Sequence, residues 1–181
     1  MNKERVAIFG GTFNPPHYGH LWILQQIYEL KRYDTVIMLP TYSGNASNKL
    51  DALPVQTRYD LCKIALKDFG NSNLHISSMD IERQFEYTYQ TVQYIDGLHK
   101  YDCTFFVGDD WNPEQFKNYE QMKNLVTFVS INRMGPGHMA FPISYRLSSS
   151  IIRERIKSGL SIRGLVTPSV ETYIKENKLY E

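Results

Sequence analysis

The sequence is poor in cysteine, has no long apolar run and carries no excess charge of either sign, and each lack excludes something. Two cysteines in 181 residues, Cys62 and Cys103, make neither a disulfide framework nor a C-x-x-C metal pair, which fits a reducing cytoplasm. No apolar stretch approaches the roughly 18–20 residues that span a bilayer. Residues 1–5 are polar and lead straight into a short apolar segment, unlike a signal peptide. Twenty Lys+Arg against 19 Asp+Glu leave a formal charge of +1. That balance supplies no global pull toward nucleic acid or an anionic membrane, so any phosphate site must be local. Internal repeats, linkers and low-complexity tracts are also missing. What remains is a small soluble enzyme or binding protein, expected to be one domain over residues 1–181 that buries about two-thirds of its unfolded surface. A homo-oligomer stays open.

Short apolar runs at 6–9, 35–39, 74–79, 103–107 and 126–131 predict strands. Helical spacing predicts helices between them. One covers 18–33, with Ile23, Leu24, Ile27 and Leu30 on one face, and another 54–67, opened by Pro54. Further helices are expected over 88–98, part of 113–122, 150–158 and 169–177. Strands that are apolar throughout, alternating with helices, imply an α/β fold: a parallel sheet of about five or six strands with helices on both faces. Such sheets bind ligands at the carboxyl ends of their strands, where the strand order switches. Function is therefore expected in segments 10–20, 40–53, 78–89, 108–113 and 132–150.

The first of these, Gly10-Gly11-Thr12-Phe13-Asn14-Pro15-Pro16-His17-Tyr18-Gly19-His20, carries the strongest signal. Two glycines at a strand end let a ligand approach the backbone, and the following amides can point at an anion. His17 and His20 lie three apart in a first helical turn, so both imidazoles can leave one face, at a helix end that favours phosphate. The string matches neither G-x-G-x-x-G nor a Walker A sequence. A zinc site would need a third ligand, and His75, His99 and His138 are scattered. Far along the chain, Ser148-Ser149-Ser150 followed by Arg153 reads as a capped helix start able to hold an anion, or as a plain surface helix. Gly108-Asp109-Asp110 ends the fourth strand, where a carboxylate can read a ribose, bind Mg²⁺ or cap the next helix.

Taken together, GGTFNPPHYGH closely resembles the signature of the HIGH-type nucleotidylyltransferases, in particular the bacterial nicotinate mononucleotide adenylyltransferases. Leu147–Arg153 resembles their I-S-S-T-x-I-R element, and 164–177 their closing L-V-P-x-x-V-x-x-Y-I segment. The resemblance implies a Rossmann-like nucleotidylyltransferase fold and transfer of AMP from ATP to nicotinate mononucleotide, giving deamido-NAD and pyrophosphate. It implies that His17, His20 and Arg153 are catalytic, with Ser149 and Ser150 on the β- and γ-phosphates. Phe9, Gly10, Gly11, Thr12, Phe13, Gly108 and Asp110 would complete the ATP side, with Asp110 on the ribose. The acceptor side would hold Asn14, Lys49, Tyr87, Thr88, Trp111, Asn118 and Arg133. Mg²⁺ would come with ATP, held mainly by its phosphates, and no protein metal site is expected.

Several positions depart from the family pattern. Asn14 stands for the usual Asp, Glu86 for the Ser of S-Y-T, and Ser43–Lys49 for P-P-H-K, in which Lys49 keeps the lysine. Asn118-Tyr119 occupies the place of a family Trp, and Trp111 either substitutes for it or is core. The ATP half of the signature is intact and the acceptor half has drifted. Rival readings are nicotinamide mononucleotide as acceptor, adenylyl transfer to phosphopantetheine or cytidylyl transfer to a sugar or polyol phosphate, and a nucleotide sensor without turnover.

Overall fold

Runs without polar alternation belong in strands buried on both faces, and this is how they pair. The computed structural model describes residues 3–43, 52–108, 114, 116–131 and 147–181. Among them the strands β1 (Glu4–Gly11), β2 (Thr35–Pro40), β3 (Leu74–Ile76), β4 (Tyr101–Gly108) and β5 (Thr127–Ile131) form one parallel sheet in the order β3-β2-β1-β4-β5. β1 is central, with Phe9 opposite Phe106 of β4 and Gly11 opposite Pro40 of β2. The chain winds outward from β1 to β3, then returns to the other side of β1 with β4 and β5. That reversal opens a crevice above the carboxyl ends of β1 and β4.

Side-chain alternation sends each strand into two cores. Ala7 and Phe9 of β1, Val36 and Met38 of β2, and Phe106 of β4 enter the first. There they meet α1 (Tyr18–Glu29), α2 (Val55–Phe69), α6 (Ser149–Lys157) and α7 (Pro168–Glu176). Val6, Ile8, Leu39, Cys103 and Phe105 enter the second, covered by α4 (Thr88–Gly97) and the short α5 (Tyr119–Met122). Both cysteines are free and buried, and burial raises the Cys103 thiol to about 11, which leaves it a packing residue. No helix among the described residues is long and apolar enough to cross a membrane.

Two expected elements end early. α1 stops at Glu29 rather than running to 33, because Lys31 takes a left-handed conformation (φ 54°) and closes the helix with a bond from its N–H to Tyr28 O. β3 stops at Ile76 rather than 79. Ser77 N–H still reaches Met38 O, but Ser77 Oγ then accepts from Met79 N–H, and Ser78 O accepts from Ile81 and Glu82. Serine turn chemistry thus overrides an apolar pattern and starts the four-residue α3 (Met79–Glu82). Conversely β1 and β4 each gain residues at both ends of the apolar run. Pro113, in the helix expected over 113–122, lies outside the described residues.

The closing segment docks back on the second helix. Asp68 of α2 accepts from Ser169 N–H and Oγ, both at 2.8 Å, and so caps the start of α7. This returns the chain to the sheet face that carries α1.

Candidate active site

A cavity of about 210 Å³ sits in the crevice above β1 and β4. Its walls bring together segments that the sequence separates: Phe9–Asn14 from β1 and its turn, His17 at the cap of α1 with His20 in its first turn, Gly108 from β4, and Ser148 at the cap of α6 with Ser149, Ser150 and Arg153 from the helix itself. Leu39, Thr41, Asp80, Thr88 and Thr91 close the side toward β2 and β3.

The two imidazoles leave the same face of α1 and stack, with ring centroids 3.6 Å apart and planes at 20°. Phe13 sets its ring edge against His20 at 4.9 Å and against Phe9 at 5.6 Å. His17 N–H donates to His20 Nδ1 at 3.2 Å. With Nδ1 accepting, a neutral His20 ring carries its proton on Nε2, a donor suited to a phosphate oxygen. The N–H of Tyr18, first in the helix, is taken by Leu165 O at 3.1 Å. The anion-facing capacity of this turn therefore lies more in the imidazoles than in that amide.

Three glycines serve different ends. A Cβ at Gly10 would meet nothing within 4 Å, so its smallness keeps space in the cavity. A Cβ at Gly11 would touch the Phe13 ring at 3.0 Å, and one at Gly19 would touch His17 Cε1 and Nδ1 at 3.0 Å. The glycine of H-x-G-H thus makes room for the first histidine's ring. Phe13 itself holds φ 48°, a left-handed conformation that costs a bulky residue on the order of 1–2 kcal/mol.

At the other mouth, Ser148 caps α6, its Oγ accepting from Ile151 N–H at 3.3 Å. By helix geometry the first amides of α6 have no intrahelical acceptor. Arg153 donates to Asn14 O at 2.9 Å and to Ser150 Oγ at 3.3 Å, and Ser149 Oγ donates to Pro15 O at 2.8 Å. Arg155 turns away to Ser161 O.

The acceptor candidates divide. Thr88 lines the cavity. Asn14 lines it too but is 2% exposed, and its Oδ1 accepts inward from Leu53 N–H (3.2 Å) and Tyr180 Oη (2.9 Å). Tyr87 lies outside the lining, stacked on Tyr89 with Lys117 Nζ 4.0 Å over its ring. Asn118 borders an open depression with Tyr119 and Lys123 that shares Phe116 with the cavity. Lys49, Asp110, Trp111 and Arg133 lie outside the described residues. Unmarked by any motif are Thr41 in the lining, and Arg58 and Tyr180 behind it; a lone Arg or Tyr on a helical face or near a terminus gives no signal.

A central-strand glycine turn, two histidines and a distant Ser-Arg helix start around one crevice define a nucleotidylyltransferase type of site. The cytidylyltransferase-like family model matches residues 8–155. Proteins of Shouchella clausii and Lactiplantibacillus plantarum, each named "Probable nicotinate-nucleotide adenylyltransferase", are both 34% identical and match 98% of this chain and 97% and 89% of their own lengths. The same fold occurs in a Plasmodium falciparum nicotinic acid mononucleotide adenylyltransferase solved with NaAD (17% identity, TM-score 0.76, 98% of this chain and 97% of that one). The chain belongs to the nicotinate-nucleotide adenylyltransferases of the cytidylyltransferase-like family.

Two predictions follow from the cavity wall. Alanine is a better helix former than glycine by about 1 kcal/mol, so Gly19→Ala should keep or raise the melting temperature. It should still lower kcat by about tenfold as His17 is displaced by a few tenths of an ångström; an unchanged kcat would show the contact to be idle. Asp80 is 4% exposed, and burial raises its pKa to about 6 against a bond from Thr91 Oγ1 (2.8 Å) that lowers it. Because the folded value lies above the unfolded one of about 3.9, the native state binds more protons between about pH 4 and 6. Stability therefore falls as pH rises through that window. Asp80→Asn keeps an acceptor for Thr91 without the charge. It should be more stable than the parent by about 1–3 kcal/mol at neutral pH and gain nothing near pH 4, read from thermal melts at both.

Proposed function

We propose that the chain transfers AMP from ATP to nicotinate mononucleotide, releasing pyrophosphate and forming deamido-NAD by direct in-line attack on the α-phosphorus. The observation that carries this reading is the convergence of the His17–His20 turn and the Ser149–Arg153 helix start on one cavity, tied by Arg153 to Asn14 O and Ser149 to Pro15 O. The family names of the relatives support the same acceptor.

The chemistry asks little of acid–base groups. A phosphate monoester has its second pKa near 6, so the acceptor phosphate is already largely deprotonated at neutral pH. The barrier lies in bringing anions together and in charge gathered on the α-oxygens and the departing pyrophosphate. His17 and His20 are assigned to the α- and β-phosphates, and Arg153, Ser149 and Ser150 to the β- and γ-phosphates. Phe9–Phe13 form the floor, where Gly10 leaves room for the nucleotide. Gly108 and Asp110 are assigned to the ATP ribose on the β4 side. Asn14, Lys49, Tyr87, Thr88, Trp111, Asn118 and Arg133 remain proposed acceptor contacts on the strength of the family motifs. Among the described residues no group of three or more His, Cys, Asp or Glu could hold a metal ion; Mg²⁺ is assigned to the triphosphate, as part of the Mg–ATP substrate. A single domain spanning 1–181 in the cytoplasm completes the proposal, supported by two thiols that are buried and unpaired.

The test is purified protein with Mg–ATP or Mg–CTP against nicotinate mononucleotide, nicotinamide mononucleotide, phosphopantetheine and a polyol phosphate, followed by pyrophosphate release and product mass. Deamido-NAD should dominate, and no turnover with any acceptor would overturn the reading. His20→Ala should lower kcat by about 10²–10³ with a modest change in the KM for ATP, because its contact strengthens as charge develops.

A further inference from the structure

We infer that Arg58, acting with Tyr180, is a positioning device that sets the acceptor side of the cavity, an inference that rests on the adenylyl-transfer reading above. Arg58 lies on α2 and is 1% exposed. Its guanidinium meets four backbone carbonyls: Nε donates to Leu53 O (3.0 Å), Nη1 to Thr12 O (2.7 Å), and Nη2 to Thr41 O (2.8 Å) and Tyr42 O (3.2 Å). Among the described residues no carboxylate pairs with it. A buried cation without a counter-ion is costly, and an apolar side chain on this inward face would pack at less expense. Burial accordingly lowers the Arg58 pKa from its ordinary value.

The charge is kept where it gathers three separate segments. Thr12 belongs to the turn after β1, Thr41 and Tyr42 to the exit of β2, and Leu53 to the approach to α2. Thr12 and Thr41 line the cavity. The network runs further: Leu53, whose carbonyl accepts from Arg58, donates its N–H to Asn14 Oδ1, and Tyr180 Oη donates to the same oxygen. Asn14 O in turn accepts from Arg153. A continuous chain of hydrogen bonds therefore joins α2, the closing segment and the phosphate-facing arginine.

Its placement selects which substrate it serves. The histidines and α6 stand over β1, and Gly108 lies on the β4 side. Three of the four carbonyls that Arg58 holds, those of Thr41, Tyr42 and Leu53, belong to the exit of β2 and the approach to α2, and the fourth, Thr12 O, to the turn after β1; none comes from β4. If ATP takes the β4 flank, Arg58 shapes the flank left for the acceptor. A planar fork is required, because one ammonium nitrogen cannot meet four carbonyls that diverge in this way.

The experiment compares Arg58→Lys, which keeps the charge and loses the fork, with Tyr180→Phe, which removes a single hydroxyl and leaves the fold's packing in place. Steady-state kinetics would vary nicotinate mononucleotide and ATP separately, with melting temperatures recorded alongside. Arg58→Lys should raise the acceptor KM at least tenfold while the KM for ATP stays within threefold, and Tyr180→Phe should raise the acceptor KM at least threefold with ATP unaffected. Wild-type acceptor kinetics in Arg58→Lys, or equal rises in both KM values, would overturn the inference. If Arg58→Lys does not fold, Tyr180→Phe decides, and an unchanged acceptor KM then overturns it. Wild-type enzyme in the same assay separates this failure from the other: absence of deamido-NAD there would sink the functional reading itself.

Discussion

Ser149 Oγ donates to Pro15 O and Arg153 Nη1 donates to Asn14 O, joining segments 134 and 139 residues apart. The site depends on these two bonds. α6 by itself is a capped helix with an arginine one turn in, and the turn after β1 by itself is a glycine bend with two histidines. Joined, they bring the two imidazoles, the Ser150 hydroxyl and the Arg153 guanidinium to the lining of one cavity. Both acceptors are backbone carbonyls, so the tether fixes the course of the main chain through the turn and leaves the imidazoles and the Ser150 hydroxyl to face the cavity.

The sheet order makes that tether achievable. β1 is central because the chain winds one way to β3 and then crosses back to β4. The last helices must pass over the face that α1 already occupies, and the Asp68 cap on α7 secures that return. The apolar content of β1 follows from the same topology, since a strand with neighbours on both edges and helices on both faces has no solvent side. The two glycines at its end are where the strand stops needing side chains and the ligand space begins.

How much of this could be read in the residues depended on whether the determining interaction was local. Strands and most helices were legible from apolar periodicity, and their order of appearance already implied a parallel sheet. The site turn was legible because its glycines, prolines and histidines are contiguous. The errors lie where local chemistry overrode periodicity, at Ser77-Ser78 and at Lys31. Neither Arg58 nor Tyr180 stood out, because what distinguishes them is partners that, Leu53 apart, lie 16 to 166 residues away. Gly19 belonged to a recognised string, yet its purpose, space for the His17 ring, needs three dimensions to see. Tyr87 and Asn118, which the family motifs assign to the acceptor, stand beyond the cavity's described lining, the first stacking on Tyr89 and the second heading α5 with a left-handed backbone.

Three local costs lie in or directly behind the cavity wall. Phe13 holds a left-handed backbone, Arg58 is a buried cation with no carboxylate partner among the described residues, and Asp80 is a buried acid whose pKa is raised to about 6. Phe13 belongs at once to the first apolar core and to the cavity wall, so the cost it carries is held in place by core packing. Such features persist when the surrounding structure over-determines them and when relaxing them would move something that matters. Phe13 supplies the edge against which His20 rests, Arg58 gathers the carbonyls beneath two lining threonines, and Asp80 fixes Thr91 in the wall. In each case a stability cost of modest size is exchanged for the position of a group facing the cavity. The ordinary packing of the sheet and its helices supplies the surplus that makes this exchange tolerable, so the core and the site are coupled through stability as well as geometry.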